Sequence, residues 1–214
     1  MTSILKVQNI QYTDGDAALT IADGGGVTAA STLGVTGEST LTGGAKVNTI
    51  KHTGGTTGLA INTNGIVTKA ANPAFQAYYA NNSYCWSDTT DGNFDLQTLN
   101  QTRFNRGNHY NTTNHRFIAP VAGVYHFYGQ FFTNYESNYA RCGVSIRVNG
   151  TGITETWTPN WETAGSGTSS LTIELAANDY VQLYTSVYDG NATSNNYNVY
   201  CGASLTYLIG HLIG

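Results

Sequence analysis

Arg116-Phe117-Ile118-Ala119-Pro120-Val121-Ala122-Gly123-Val124-Tyr125-His126-Phe127 is the stretch that decides the fold. From Gly123 onward it reads as a strand: side chains alternate with a period of two, which puts Tyr125, Phe127 and Phe131 on one face and His126 on the other.

The same alternation continues downstream. Val144, Ile146 and Val148 share a face, and Asn149-Gly150 then gives the strongest short hairpin signal a sequence carries. Leu171, Ile173 and Leu175 alternate, Asn178-Asp179 turns the chain, and Val181, Leu183 and Val187 alternate again. Val199, Cys201, Ala203, Leu205 and Tyr207 are expected along one side of a last continuous strand. No stretch sustains a 3.6-residue apolar period, so the reading is all-β, a sandwich or jelly roll.

Composition agrees. Of the 214 residues only 10% are charged, the net charge is −4, and 40% are hydrophobic with 12% aromatic. That content of apolar and aromatic residues at low net charge excludes a disordered chain. Thinly spread lysines and arginines form no basic stripe, which argues against nucleic acid as a partner. No run approaches 18 apolar residues, and Met1 to Ile10 lacks a basic region followed by an apolar one, so neither membrane insertion nor export is expected of this sequence.

Upstream lies a repeat of about forty residues. Lys6, Val7, Ile10, Thr13, Gly15, Leu19, Ile21, Gly25, Val27 and Thr28 recur as Lys46, Val47, Ile50, Thr53, Gly55, Leu59, Ile61, Gly65, Val67 and Thr68. Each copy reads as a strand, a glycine turn, a Leu-x-Ile strand, another turn and a closing Val-Thr. A smaller echo, Ser31-Thr32-Leu33 answered by Ser39-Thr40-Leu41, lies between them. So few apolar side chains do not offset about 1–2 kcal/mol of backbone entropy per ordered residue. Three identical copies wound on one axis would bury them. Asn72-Pro73 marks a hinge, and every tyrosine except Tyr12, with all the tryptophans, lies beyond it. Residues 1–70 therefore read as an elongated β-rich stalk and 71–214 as the head.

The head resembles the globular domain of complement component one q and its tumour-necrosis-factor-like relatives. The likeness rests on Ala74-Phe75-Gln76-Ala77, on Asn108 to Asn111 with Tyr110, and above all on Arg116 to Phe127. Val148-Asn149-Gly150, Leu175 to Val181, and Tyr200-Cys201-Gly202 before Leu208-Ile209-Gly210 are similar to later landmarks. The resemblance implies a trimeric jelly roll, packed by aromatic inner faces, that recognises ligands through loops and catalyses nothing. Phe75, Phe117, Tyr125, Phe127, Leu183 and Leu205 are the residues expected to pack the core or the trimer axis.

A Thr/Gly-rich repeat stalk under a trimeric head also looks like the appendages of tailed phages. The expected function is that of a non-enzymatic virion protein made in the host cytoplasm, a tail or head fibre. Its partners would be its own copies, other virion proteins at the N-terminal segment, and a host-surface glycan or protein at the head. A capsid-decorating trimer that stabilises the shell is the alternative, and a glycan-cleaving tailspike a further one.

The chemistry of sites is thin. No cofactor is expected: Gly24-Gly25-Gly26, Gly54-Gly55 and Gly165-Ser166-Gly167 all lack the Gly-Lys-Ser/Thr ending of a phosphate loop. His52, His109, His115, His126 and His211 are too scattered in sequence for a zinc motif, and His126 reads as structural. Cys85, Cys142 and Cys201 form no CxxC pair and read as free thiols. Asp88, Asp91 and Asp95 surround Gly92 without EF-hand spacing, so no cation site is assigned. Glu136, Glu155, Glu162 and Asp189 are the carboxylates a glycosidase pair would draw on, and they read as solvated loop acids. Tyr and Trp offer rigid amphipathic contact area, which makes Tyr135, Tyr139, Trp157, Trp161 and Tyr188 the candidate recognition residues.

Overall fold

A computed structural model of the chain describes residues 9–11, 17–21, 27–29, 45–47, 49–51, 54, 57–80, 84–87, 93–134, 141–159, 164–188, 197–200 and 202–213. Among these, every regular element is a β-strand. The chain forms two compact units, Met1–Val47 and Asn48–Gly214.

In the first unit β1 (Asn9–Gln11), β2 (Ala17–Ile21) and β3 (Val27–Ala29) make an antiparallel sheet in that order. In the second unit β4 (Thr49–Lys51), β5 (Thr57–Ile61) and β6 (Val67–Thr68) make another. The repeat extends to the pairing itself. Ile10 opposite Leu19 is matched by Ile50 opposite Leu59, and Ile21 opposite Val27 by Ile61 opposite Val67. Even the register slip recurs, between Ile10 and Gln11 and again between Ile50 and Lys51. At the β5–β6 turn the Asn62 side-chain oxygen accepts from the Asn64 and Ile66 amides, 2.9 Å each, and Gly65 takes φ +79°. The Ser31 to Leu41 echo lies outside the described residues.

The sequence puts the stalk–head boundary at residues 70 and 71, whereas the compact units divide after Val47. The second repeat copy groups with the head because the chain just after β6 stays close to it. Lys69 and Asn72 close a turn, and the Leu212 amide donates to Pro73.

The head comprises β7 (Ala74–Tyr78), β8 (Tyr84–Ser87), β9 (Asp95–Leu96), β10 (Gln101–Arg106), β11 (Tyr110–Asn111), β12 (Arg116–Ile118), β13 (Gly123–Asn134), β14 (Arg141–Val148), β15 (Thr151–Pro159), β16 (Ala164–Leu175), β17 (Tyr180–Tyr188), β18 (Tyr197–Tyr200) and β19 (Tyr207–Leu212). One sheet runs β10-β7-β19-β13-β18-β8, with β16 on the other edge of β13; the second runs β11-β12-β17-β14-β15, with β9 on β17. The apolar faces read from the alternation pack against each other between the sheets.

Phe75, Phe117, Tyr125 and Phe127 are fully buried there, and Leu183 is 1% exposed. Phe75 stacks on Phe117 at 4.9 Å and on Tyr110 at 5.0 Å, and Phe117 meets Phe127 edge-on at 5.7 Å. The turn expected at Asn149-Gly150 has φ of +51° and +81°, both in the left-handed region a two-residue hairpin turn demands. The Asn149 side chain ties that turn to Asp179 and the Tyr180 amide, so two turns far apart in sequence brace each other.

The last strand departs from expectation. It is not continuous: β18 ends at Tyr200, residues 202–206 turn, and β19 starts at Tyr207. Leu205 is half-buried in that turn rather than set in a strand row. The cause is side-chain capture of the backbone. The Gln130 amide donates to the Ser204 and Leu205 carbonyls, 3.2 Å each, and the Gln76 amide to the Ala203 carbonyl at 3.1 Å. Cys201 and the side chain of Val199 lie outside the described residues.

Candidate functional site

β17 points Tyr180, Tyr184 and Tyr188 to the outer face of the smaller sheet, while Val181, Leu183 and Val187 fill the core. Each of the three tyrosines carries an arginine. Arg116 lies 4.8 Å from the Tyr180 ring, Arg147 4.2 Å from that of Tyr184, and Arg141 4.6 Å from that of Tyr188. Arg141 also lies 4.4 Å from Trp157, so its guanidinium sits between the two described candidate recognition residues. Phe94 meets Trp157 edge-on at 5.1 Å and lies 6.0 Å from Arg147.

Gly143 makes room for this. A Cβ there would come within 2.9 Å of Phe94 and 3.0 Å of Trp157. A guanidinium stacked on aromatic faces is oriented before any ligand arrives and keeps N–H groups at its edge for oxyanions. The hydroxyls of Ser145 and Ser186 and the Nε of Arg116 and of Arg147 are buried without a hydrogen-bond partner among the described residues. Of the four carboxylates considered for glycan cleavage, Glu155 lies among the described residues, exposed on β15.

Tyr135, Tyr139 and Trp161 lie outside the described residues, as do Glu136, Glu162 and Asp189. Asp88 and Asp91 do too, while Asp95 sits on β9 opposite Thr185. Cys142 is free and buried. The arginines, and Tyr180 and Tyr184, go unmarked in the sequence reading, although the signal is there. Tyrosines recur at every fourth position between the core residues of β17, and Arg141 and Arg147 occupy the polar phase of β14.

The larger sheet shows a different outer face. Tyr128 and Tyr207 have ring centroids 6.0 Å apart, and both hydroxyls reach the side-chain oxygen of Gln130, at 3.4 and 3.2 Å. Burial, then the neighbouring Tyr128, pushes the Tyr207 phenol up. Register puts Tyr78 beside Tyr207 and Ile209 beside Tyr128. One row further on, His126 faces His211 across the strands at 5.6 Å and bonds the Thr172 hydroxyl through Nδ1 at 2.9 Å. The two histidines are far apart in sequence, which is why their meeting is invisible there.

A family model described as C1q domain matches residues 74–204, more than half of the chain. The chain belongs to the C1q domain family. The match covers the head strands from β7 to β18, including the Pro120–Gly123 corner between β12 and β13 and the arginine–tyrosine face. Among solved structures, the globular domain of zebrafish complement 1qA is similar at 16% identity, covering 67% of this chain and 98% of that one, with a TM-score of 0.52. Murine APRIL at pH 8.0 is similar at 12% identity, covering 66% and 99%, with a TM-score of 0.50. Likeness at these identities speaks for the fold, a C1q-type jelly roll. No curated protein matches in sequence.

Proposed function

We propose that this C1q-domain chain is a non-enzymatic virion structural protein, a homotrimeric phage fibre whose repeat segment forms the stalk and whose head contacts the host surface. The observation that carries the reading is the second repeat copy. Its sheet repeats the pairing of the first while leaving Ile50 54%, Ile61 39%, Ile66 57% and Val67 56% exposed. Apolar side chains held at that exposure by an ordered sheet call for cover, and sister chains carrying the same strip supply it.

The head supports the same assembly, since C1q-type domains are typically trimeric. Its larger sheet offers Tyr78, Tyr128, Tyr207 and Ile209 as an amphipathic outer face of the kind enriched at subunit contacts. The opposite face, with Arg116, Arg141, Arg147, Trp157 and Tyr188, is then free to meet a surface polymer. Polar N–H edges and an aromatic platform suit a glycan better than an apolar partner.

The decisive experiment has two parts. Multi-angle light scattering of the full chain at micromolar concentration is expected to give three subunits, and a monomer overturns the assembly. Gold-labelled antibody against the chain is expected to decorate the tail or discrete fibres of intact particles. Labelling spread over the whole shell replaces the fibre with a decorating trimer, and unlabelled particles overturn the virion reading.

A further inference from the structure

The whole chain carries 9 lysines and arginines, and Arg116, Arg141 and Arg147 all lie on the outer face of the smaller sheet. They form a line, because each follows one tyrosine of β17, and Tyr180, Tyr184 and Tyr188 recur at every fourth position of that strand. At about 3.3 Å per residue the row extends roughly 26 Å from end to end. Among the described residues these guanidiniums rest on rings rather than on carboxylates, and the Nε atoms of Arg116 and Arg147 are buried without a hydrogen-bond partner. A partly buried cation with no counter-charge lacks the interaction that water would have given it, and an oxyanion at its open N–H edge restores that interaction. Of the nearby acids, Asp179 is taken up by the Asn149 side chain and the Ala176 amide. Glu155, opposite Ser145 in register, has its Oε1 3.3 Å from where a Gly152 Cβ would stand, beside its own strand.

We infer that this row binds an acidic polysaccharide, whose carboxylates are met in turn by Arg116, Arg147 and Arg141. The inference rests on the reading that this face is turned toward the host, and it adds the charge of the polymer. In the proposed assembly the sister chains sit against the larger sheet, so the row stays open in the trimer. A single small anion meets one guanidinium, whereas a chain of linked anionic groups meets all three at once and gains affinity from the linkage. Tyrosine hydroxyls and the Trp157 indole N–H add hydrogen-bonding groups of the kind that sugar hydroxyls match. A nucleic acid, with a phosphate charge every few ångströms, calls for a denser basic stripe than three arginines over roughly 26 Å.

Isothermal titration of the full-length chain with an octamer of galacturonate and with its methyl ester tests this. The two share a backbone and differ in charge. The free acid is expected to bind about tenfold or more tighter than the ester, and about a hundredfold or more tighter than monomeric galacturonate. Arg141→Gln and Arg147→Gln are each expected to weaken the octamer by about tenfold or more. Lys46→Gln removes the same charge from an exposed position ahead of β4 and is expected to leave binding unchanged. Arg141 is itself exposed, so its variant should keep the parent's thermal midpoint and report on binding alone. An ester that binds as tightly as the acid overturns the inference and leaves the host-facing reading of this face standing. If both arginine variants bind the acid like the parent, the polymer sits elsewhere and the two fall together. An octamer that does not bind also overturns the inference, while the subunit count and the particle labelling test the fibre reading separately.

Discussion

Gly210 lies against the ring of Phe127: a Cβ on that glycine would come within 2.5 Å of Phe127 Cδ1 and 2.6 Å of Phe75 Cε1. The two residues are paired partners on β19 and β13, so the absence of a side chain on one strand is what lets the neighbouring ring lie flat in the core. Gly210→Ala is therefore expected to destabilise the head by about 1–3 kcal/mol, the usual cost of overpacking a dense core. The midpoint in a guanidinium melt should fall with the slope unchanged. An unmoved midpoint would mean that Phe127 has room to turn aside.

Phe117 sits between two aromatic neighbours from the facing sheet. It stacks on Phe75 at 4.9 Å and meets Phe127 edge-on at 5.7 Å, fully buried. Phe117→Ala removes both ring contacts and leaves a cavity, so a loss of about 3–5 kcal/mol is expected. Val121→Ala, at a side chain 48% exposed in the adjoining corner, should change stability by no more than about 0.5 kcal/mol. Equal effects from the two substitutions would contradict the placement of the core.

These residues show what the sequence reveals and what it hides. Period-two alternation marks Tyr125 and Phe127 because facing one way along a strand is a local property, and the family resemblance adds Phe75 and Phe117. The break between Tyr200 and Tyr207 is hidden, because it is made by Gln76 and Gln130 from other strands capturing the carbonyls of residues 203–205. The arginine–tyrosine face is half legible for the same reason. Trp157 and Tyr188 stand out by composition, but Arg141 becomes their partner only once β14 lies between β15 and β17.

Asp179 braces the Asn149-Gly150 hairpin from outside the core. Its carboxylate accepts from the Asn149 side-chain amide and from the Ala176 amide, both at 2.8 Å, and those bonds, the Asn149 one foremost, hold its pKa below the ordinary carboxylate value. A folded value below the unfolded one means that the unfolded chain binds the proton more readily. The contribution is thus fully present above about pH 4 and is lost as pH falls through the lower folded value. Asp179→Asn should flatten that part of the acid limb in melts recorded from pH 5 to pH 2. An acid limb parallel to that of the parent would show that the two turns do not share this link.

Cys142 faces the core from β14 at 1% exposure, and burial pushes its thiol up to about 12. Thiolate, the reactive form, is then scarce at pH 8. Site-resolved mass spectrometry after brief iodoacetamide treatment should find Cys142 unmodified in the native chain and fully modified in 6 M guanidinium. Rapid native labelling of that one position would mean that β14 opens readily.

The proposed self-association through the larger sheet makes the sharpest demand on a single side chain. Tyr128 is half-buried in the lone subunit, with its ring 6.0 Å from Tyr207 and its hydroxyl on Gln130, and it faces away from the sandwich. A carboxylate in its place costs the monomer little, because the position is open to water on that side. Across a subunit contact the same carboxylate would be desolvated three times over without a cation opposite it. Tyr128→Asp is therefore expected to give a folded monomer by light scattering, with a thermal midpoint that no longer rises with protein concentration as the parent's does. Trp157→Ala, on the other sheet, should leave the trimer whole. A Tyr128→Asp chain that still assembles in threes would move the subunit contact off this face.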